Sequence, residues 1–93
     1  MFTWDVNKAL LNYEKHGVSF EEAATVFTDT TALDLADPAH SKTERRSIRL
    51  GKSITKRILV VVYTVRRLSD GKETIRIISA RQASRKERKA YSG

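Results

Sequence analysis

The stretch Arg57–Tyr91, R-I-L-V-V-V-Y-T-V-R-R-L-S-D-G-K-E-T-I-R-I-I-S-A-R-Q-A-S-R-K-E-R-K-A-Y, decides the fold. It holds two apolar runs, Ile58–Val65 and Thr74–Ala80, with β-branched residues at most positions and a length that suits strands. The loop between them contains Asp70-Gly71, a favoured turn pair. Both runs are too apolar for surface strands, so the pattern predicts a hairpin at the centre of a small sheet, covered on at least one face. Arginines bracket the runs: Arg57 before the first, Arg66 and Arg67 after it, Arg76 within the second and Arg81 at its end. Beyond them Ser84-Arg85-Lys86-Glu87 reads as a capping box that opens a helix to about Tyr91.

Working back from the hairpin, Gly51–Lys56 reads as a turn. Before it, from Glu44, the period is two: Arg46, Ile48 and Leu50 share one face, Arg45, Ser47 and Arg49 the other. That predicts a half-buried strand with a cationic outer face. Residues 37–43 are polar and read as a loop after Asp37-Pro38, and Thr31–Ala36 alternates like a strand. At the start, Phe2-Thr3-Trp4 suits a short edge strand, and Asp5 suits an N-cap. Val6, Ala9, Leu10 and Tyr13 then form one helical stripe, stopped by Gly17. Ser19-Phe20-Glu21-Glu22 is a second capping box, opening a short helix to about Phe27. The order β-α-α-β-β-β-β-α predicts one α+β domain over residues 1–93, with a mostly antiparallel sheet. The two N-terminal helices and the C-terminal one are expected to cover one face.

Composition narrows the function. The net charge is +7, unevenly placed. Residues 1–43 hold three basic residues against seven acids, and residues 44–93 hold the other fifteen against four. An excess of +11 in one half is an electrostatic footprint for a phosphate-bearing partner. There is no cysteine, which removes disulfides and thiolate metal sites. His16 and His40 are far apart and lie in no metal-ligand spacing, so no metal and no cofactor are expected. No apolar run approaches the roughly 20 residues that span a bilayer, and the N-terminus lacks a basic-then-apolar signal pattern. The sequence predicts a soluble, cytoplasmic protein with no membrane partner.

RNA cleavage without a metal needs cations around a phosphorane, a group to take the 2′-hydroxyl proton and a donor for the 5′-oxygen. Arg57, Arg81 and Tyr91 fall at a strand start, a strand end and a helix end, positions that can converge at one edge of a small sheet. Each arginine equally suits a salt bridge or a solvated rim, Tyr91 suits packing, and His16 suits a helix end where the dipole favours a cation.

Several blocks resemble the BrnT toxins: Phe2-x-Trp4-Asp5, Asn12–Phe20 (N-Y-E-K-H-G-V-S-F) with Glu21-Glu22-Ala23, Val26-Phe27-x-Asp29, and Arg57-x-Leu59-Val60-Val61-Val62-Tyr63-Thr64. Ile75-Arg76-Ile77-Ile78-Ser79-Ala80-Arg81, with Ala83, Glu87-Arg88 and Tyr91, completes the likeness nearly end to end. The resemblance implies the toxin of a type II toxin–antitoxin pair, with a fold similar to the RelE ribonucleases. Such a toxin cleaves RNA and stops translation. It implies neutralisation by a BrnA-type antitoxin in a heterotetramer that represses its operon, so operator DNA is reached only through the antitoxin. A RelE-like active-site pattern falls on Arg46 or Arg49, Arg57, Arg81 and Tyr91, and His16 lies in the family's own K-H-G-V-S block. Arg46, Arg49, Arg66, Arg76, Arg85 and Arg88 are the expected RNA-backbone contacts. The chain departs from the pattern at Gln82, where a lysine is expected, and in a slightly long Leu68–Lys72 loop. The alternative function is a non-catalytic basic module that binds nucleic acid, for which the charge alone suffices. A third reading makes the basic face mainly a dock for the antitoxin.

Overall fold

A computed structural model describes residues 1–37 and 45–92 of the chain. The elements run β1 (Phe2–Thr3), α1 (Val6–His16), α2 (Phe20–Thr25), a 3₁₀ turn (Val26–Thr28), β2 (Leu33–Ala36), β3 (Arg46–Lys52), β4 (Ile58–Arg67), β5 (Glu73–Gln82) and α3 (Arg85–Ser92). The expected loop over residues 37–43 lies outside the described residues except for Asp37, as does His40. Among the described residues no helix is long and apolar enough to cross a membrane.

The five strands form one sheet in the order β1-β5-β4-β3-β2. The sheet is mixed, which corrects the expectation of a mostly antiparallel one. β1 lies parallel to β5, with Phe2 opposite Ile75, while the other three pairings are antiparallel. A two-residue strand carries no orientation signal of its own. Its direction is set by the chain entering α1 and by the bond from the Ile75 N–H to the Met1 carbonyl (2.9 Å). The hairpin β4–β5 is central, as its apolar runs required. A bulge between Val62 and Tyr63 leaves Ile78 as the extra residue of β5.

Both faces of the hairpin are covered, because consecutive residues of β4 are buried. Leu59 and Val61 face Val18, Phe20, Ala23 and Val26 of the α1–α2 layer, with Ile77 and Ala80 of β5 beside them. Phe20 is fully buried against Trp4, whose ring meets it edge-on at 6.0 Å. Burial of a side chain of that size contributes about 2–3 kcal/mol. On the other face Val60 packs with Leu50, Ala83, Ile48, Ile58 and Tyr91. The helix α3 therefore lies opposite α1 and α2, not beside them as the sequence suggested.

The α1–α2 layer sits close to the sheet. A Cβ on Gly51 would approach that of Ala32 at 3.1 Å and that of Val26 at 3.3 Å, so a bare backbone is what lets the 3₁₀ turn rest on β3. The apolar stripe of α1 does not face the core. Val6, Leu10 and Tyr13 are exposed, and the buried residue of the helix is Asn12. Its amide donates to the Val18 carbonyl (3.1 Å) and the Ala80 carbonyl (2.8 Å), and its oxygen accepts from the Ala80 N–H (3.1 Å). One side chain thus satisfies both backbone groups that β5 directs past its own partner β4 at that position. The helix meets the sheet through this polar contact and Ala9 rather than through the whole stripe.

Candidate active site

Helix α1 begins with the Asp5 carboxylate accepting from the Lys8 N–H (3.0 Å) and ends at Gly17, whose φ of +67° is the left-handed conformation that closes a helix. The Gly17 carbonyl then accepts from Arg57 Nη2 (3.2 Å). Arg57 grips Glu22 with two donors, Nε on Oε2 (3.0 Å) and Nη2 on Oε1. Ser53 and Thr55, in the turn after β3, also donate to Oε2 at 2.7 and 2.6 Å. Glu22 consequently does not return to its own capping box. Ser19 caps the Glu22 N–H (3.0 Å), but the carboxylate is turned to the sheet. The hydrogen bond from Arg57 holds its pKa down to about 2, with Thr55, Ser53 and the guanidinium charge assisting against desolvation. The same bond raises the pKa of Arg57.

One helical turn beyond Asn12 comes His16, so the anchor on Ala80 fixes where the imidazole sits. His16 borders an open cleft of ≈ 250 Å³ with Lys8, Leu11, Asn12, Lys15, Ile78 and Ser79. It makes no hydrogen bond to the described residues. Two lysines, an imidazole and a serine hydroxyl surround this open cleft, donors of the kind that can bind an anion.

Arg81 projects from the end of β5 on the side of Val60, its cross-strand neighbour. Its guanidinium is forked onto Glu87 of α3, Nη1 to Oε1 and Nη2 to Oε2, both at 2.8 Å. Here the capping box does close: Glu87 Oε1 accepts the Ser84 N–H (2.8 Å), and Ser84 Oγ accepts the Glu87 N–H (3.2 Å). The Arg81 hydrogen bond, with Ser84 assisting, lowers the Glu87 pKa to about 2.

Tyr91 ends up elsewhere. Its hydroxyl donates to Asp29 Oδ2 (2.6 Å) and lies 2.9 Å from Thr31 Oγ1. Asp29 Oδ2 also accepts the Lys52 N–H (2.8 Å), so the last turn of α3 is clasped to the β2–β3 side of the sheet. The Asp29 bond raises the Tyr91 pKa, and the bonds from Tyr91, Lys52 and Thr31 outweigh desolvation to hold Asp29 well below the carboxylate range.

The six arginines expected along RNA divide. Arg49 is not on an outer face: it lies under the 3₁₀ turn, donating to the carbonyls of Val26 (3.1 Å) and Asp29 (3.1 Å) and to Asp34 (2.6 Å), with its guanidinium 5.0 Å from the Phe27 ring centre. Arg88 donates to the Ala83 carbonyl (3.1 Å), and Arg85 stands exposed at the start of α3. Arg46 and Arg76 flank Thr64 in one row across the sheet, and Arg66 is exposed near the end of β4.

The structure places Arg57 at the corner between the end of α1 and the start of β4, bonded to Gly17, the residue after His16, while the cleft that His16 borders is lined by other residues. Arg81 is at the same end of the sheet but on its opposite face, and Tyr91 is not at the corner. Sequence reasoning missed Glu22 and Glu87 as the arginines' partners, Asp29 as the tyrosine's, and Lys8 and Lys15 beside His16. Lys8, Asn12, Lys15 and His16 follow a helical spacing that was visible; the carboxylate partners were not. Among the described residues no three His, Asp or Glu side chains gather as ligands for one ion.

The family model for the ribonuclease toxin BrnT of type II toxin–antitoxin systems matches residues 4–87. Among solved structures, the chain is similar to the Brucella abortus ribonuclease toxin BrnT, seen in a crystal structure at 1.1 Å resolution. The two are 25% identical, the match covers 91% of this chain and 99% of that one, and the TM-score is 0.63. No curated protein matches.

Proposed function

The chain belongs to the BrnT family of ribonuclease toxins from type II toxin–antitoxin systems, and on that premise we propose that it is an endoribonuclease that cleaves RNA by attack of a 2′-hydroxyl, with arginines rather than a metal supplying the positive charge. The observation that carries this reading is the bond that ties Arg57 to the end of α1, at the carbonyl of Gly17, the residue after His16. The imidazole accepts the 2′-hydroxyl proton, a task suited to histidine at neutral pH. Arg57, oriented by Glu22, stabilises the charge that develops on the phosphorane oxygens, while Arg81, held by Glu87 on the opposite face of the sheet, is left to RNA-backbone contact. Lys8 and Lys15 hold the flanking backbone. Glu22 and Glu87, each with a pKa near 2, stay ionised and are orienting groups, not proton acceptors. We assign Tyr91 to holding α3 in place.

On this reading the scaffold is a variant of the RelE ribonuclease fold, working in the cytoplasm, and cleavage stops translation. A BrnA-type antitoxin neutralises it and carries it to the operator.

The test is digestion of a defined RNA by the purified chain in EDTA, with the cut ends mapped. Fragments ending in 2′,3′-cyclic phosphate, lost in a folded His16→Ala variant, support the reading. Persistent cleavage by that variant removes His16 from the mechanism. Intact RNA that nonetheless shifts on a gel favours the non-catalytic binding module.

A further inference from the structure

The sheet face that carries α3 is only half covered. In register across the strands, one row runs Leu33, Leu50, Val60 and Arg81, the next Leu35, Ile48, Val62 and Ser79, and the next Arg46, Thr64 and Arg76. Leu50 and Val60 are buried together with Tyr91 of α3. Leu33 and Leu35 are not: 42% and 65% of their surfaces are exposed, and Ile48 and Val62 are half-buried beside them. An aliphatic strip thus lies between Arg81 at one end and Arg46 with Arg76 at the other. Thr64, between those two arginines, is buried, and its hydroxyl has no hydrogen-bond partner among the described residues.

Among the described residues the strip ends at an open strand edge. The Asp37 N–H bonds the Arg46 carbonyl, which sets the alternation of the β2–β3 ladder. Leu33 and Leu35 therefore spend their backbone groups on β3, while the N–H and C=O groups of Asp34 and Ala36 point outward. An edge strand with outward backbone donors and acceptors and apolar side chains on one face is a template for a further strand.

We infer that β2 and this aliphatic strip form the docking site for an acidic segment with alternating apolar residues, contributed by the partner antitoxin. The segment pairs with β2, sets its apolar side chains beside Leu33 and Leu35, and places a carboxylate beside Arg76. Charge argues for an acidic partner, since arginines close the strip, Arg81 at one end and Arg46 with Arg76 at the other. The aliphatic surface argues for a protein rather than RNA, because the exposed residues of the strip, Leu33, Leu35, Ile48 and Val62, carry no ring on which a base could stack. The inference rests on the toxin reading only in calling the partner an antitoxin.

The experiment maps backbone amide shifts of the isotope-labelled chain on titration with a synthetic peptide of alternating glutamate and leucine. The comparison probes are the same peptide with lysine for glutamate and a single-stranded RNA oligonucleotide. Shifts at Leu33–Ala36, Ile48 and Val62 with the acidic peptide alone are expected. Leu35→Lys, at an exposed position, is expected to weaken the peptide by about tenfold or more, the worth of one buried leucine. Equal binding of the lysine peptide, shifts confined to other elements, or full affinity in Leu35→Lys overturns the inference. RNA shifting the same strip gives this face to nucleic acid and overturns it too, as does self-association of the unliganded chain through β2. RNA cleavage by Leu35→Lys, measured in parallel, reports on the nuclease reading separately, since Leu35 has no part in that chemistry.

Discussion

Replacing Glu22 with glutamine keeps the shape of the side chain and removes only its charge, so Glu22→Gln isolates what the ionised carboxylate contributes. Glu22 is mostly shielded, with 13% of its side chain exposed, and it receives both forks of Arg57. Its pKa falls from 4.5 to about 2 on folding. At about 1.4 kcal/mol per unit, that depression corresponds to about 3 kcal/mol of stability at pH 7. The glutamine oxygen still accepts from Ser53 and Thr55, so the expected loss is about 2–3 kcal/mol, or a fall in Tm of about 10–15 °C for a domain of this size. The pH dependence has a fixed sign. A depressed carboxylate stabilises fully above its unfolded value near 4.5 and loses that contribution as the pH falls toward 2. Urea denaturation at pH 7 and pH 3 reads it directly. The gap between wild type and Glu22→Gln is expected to shrink to about 1 kcal/mol at pH 3. Asp29 and Glu87 titrate in both proteins and cancel in the difference, because neither shares a partner with Glu22. A gap of the same size at both pH values refutes the reasoning, since it would mean that shape and not charge holds Arg57.

Two further outcomes follow from the polar anchors. Asn12→Ala strands the backbone groups of Ala80 and is expected to cost about 2–4 kcal/mol, with the Ala80 amide among the first to exchange in deuterated water; a stability unchanged from wild type contradicts the anchor. Tyr91→Phe removes the donor to Asp29 and is expected to cost about 1 kcal/mol and to speed amide exchange in α3, while RNA cleavage persists. Loss of cleavage with α3 still protected would return Tyr91 to the chemistry as a proton donor.

The strands and helices were legible because their signals are local. The β-branched runs, the Asp70-Gly71 turn, Asp5 and Gly17 at the ends of α1, and Ser84 at the start of α3 each act within a few residues. What was not legible depends on partners far along the chain. The two capping boxes read alike, yet Glu87 closes its own whereas Glu22 is drawn off by Arg57, 35 residues away. The helical period of α1 showed an apolar stripe but not its direction, and the sheet edge at Ala80 recruited Asn12 instead. The unbroken apolar run of β4 hid the alternation that buries Val60 and Val61 on opposite faces and sends α3 to the far side from α2. At the site, His16 and Arg57 were legible as residue types. The carboxylates that aim the arginines were not, and Tyr91 was placed by Asp29, which no spacing connects to it.

The arrangement in which β1 and Asn12 rest on β5 has a consequence for how the protein comes into being. Everything from Phe2 to His16 is synthesised first, yet its supports, Ile75 and Ala80, are among the later residues to leave the ribosome. The N-terminal segment must wait as an unsupported helix with exposed Val6, Leu10 and Tyr13 until the β4–β5 hairpin closes, and contacts of such long sequence separation form slowly. The contact that joins Arg57 to the end of α1 thus forms late. A nascent chain therefore carries His16 and Arg57 well before it has the framework that positions them.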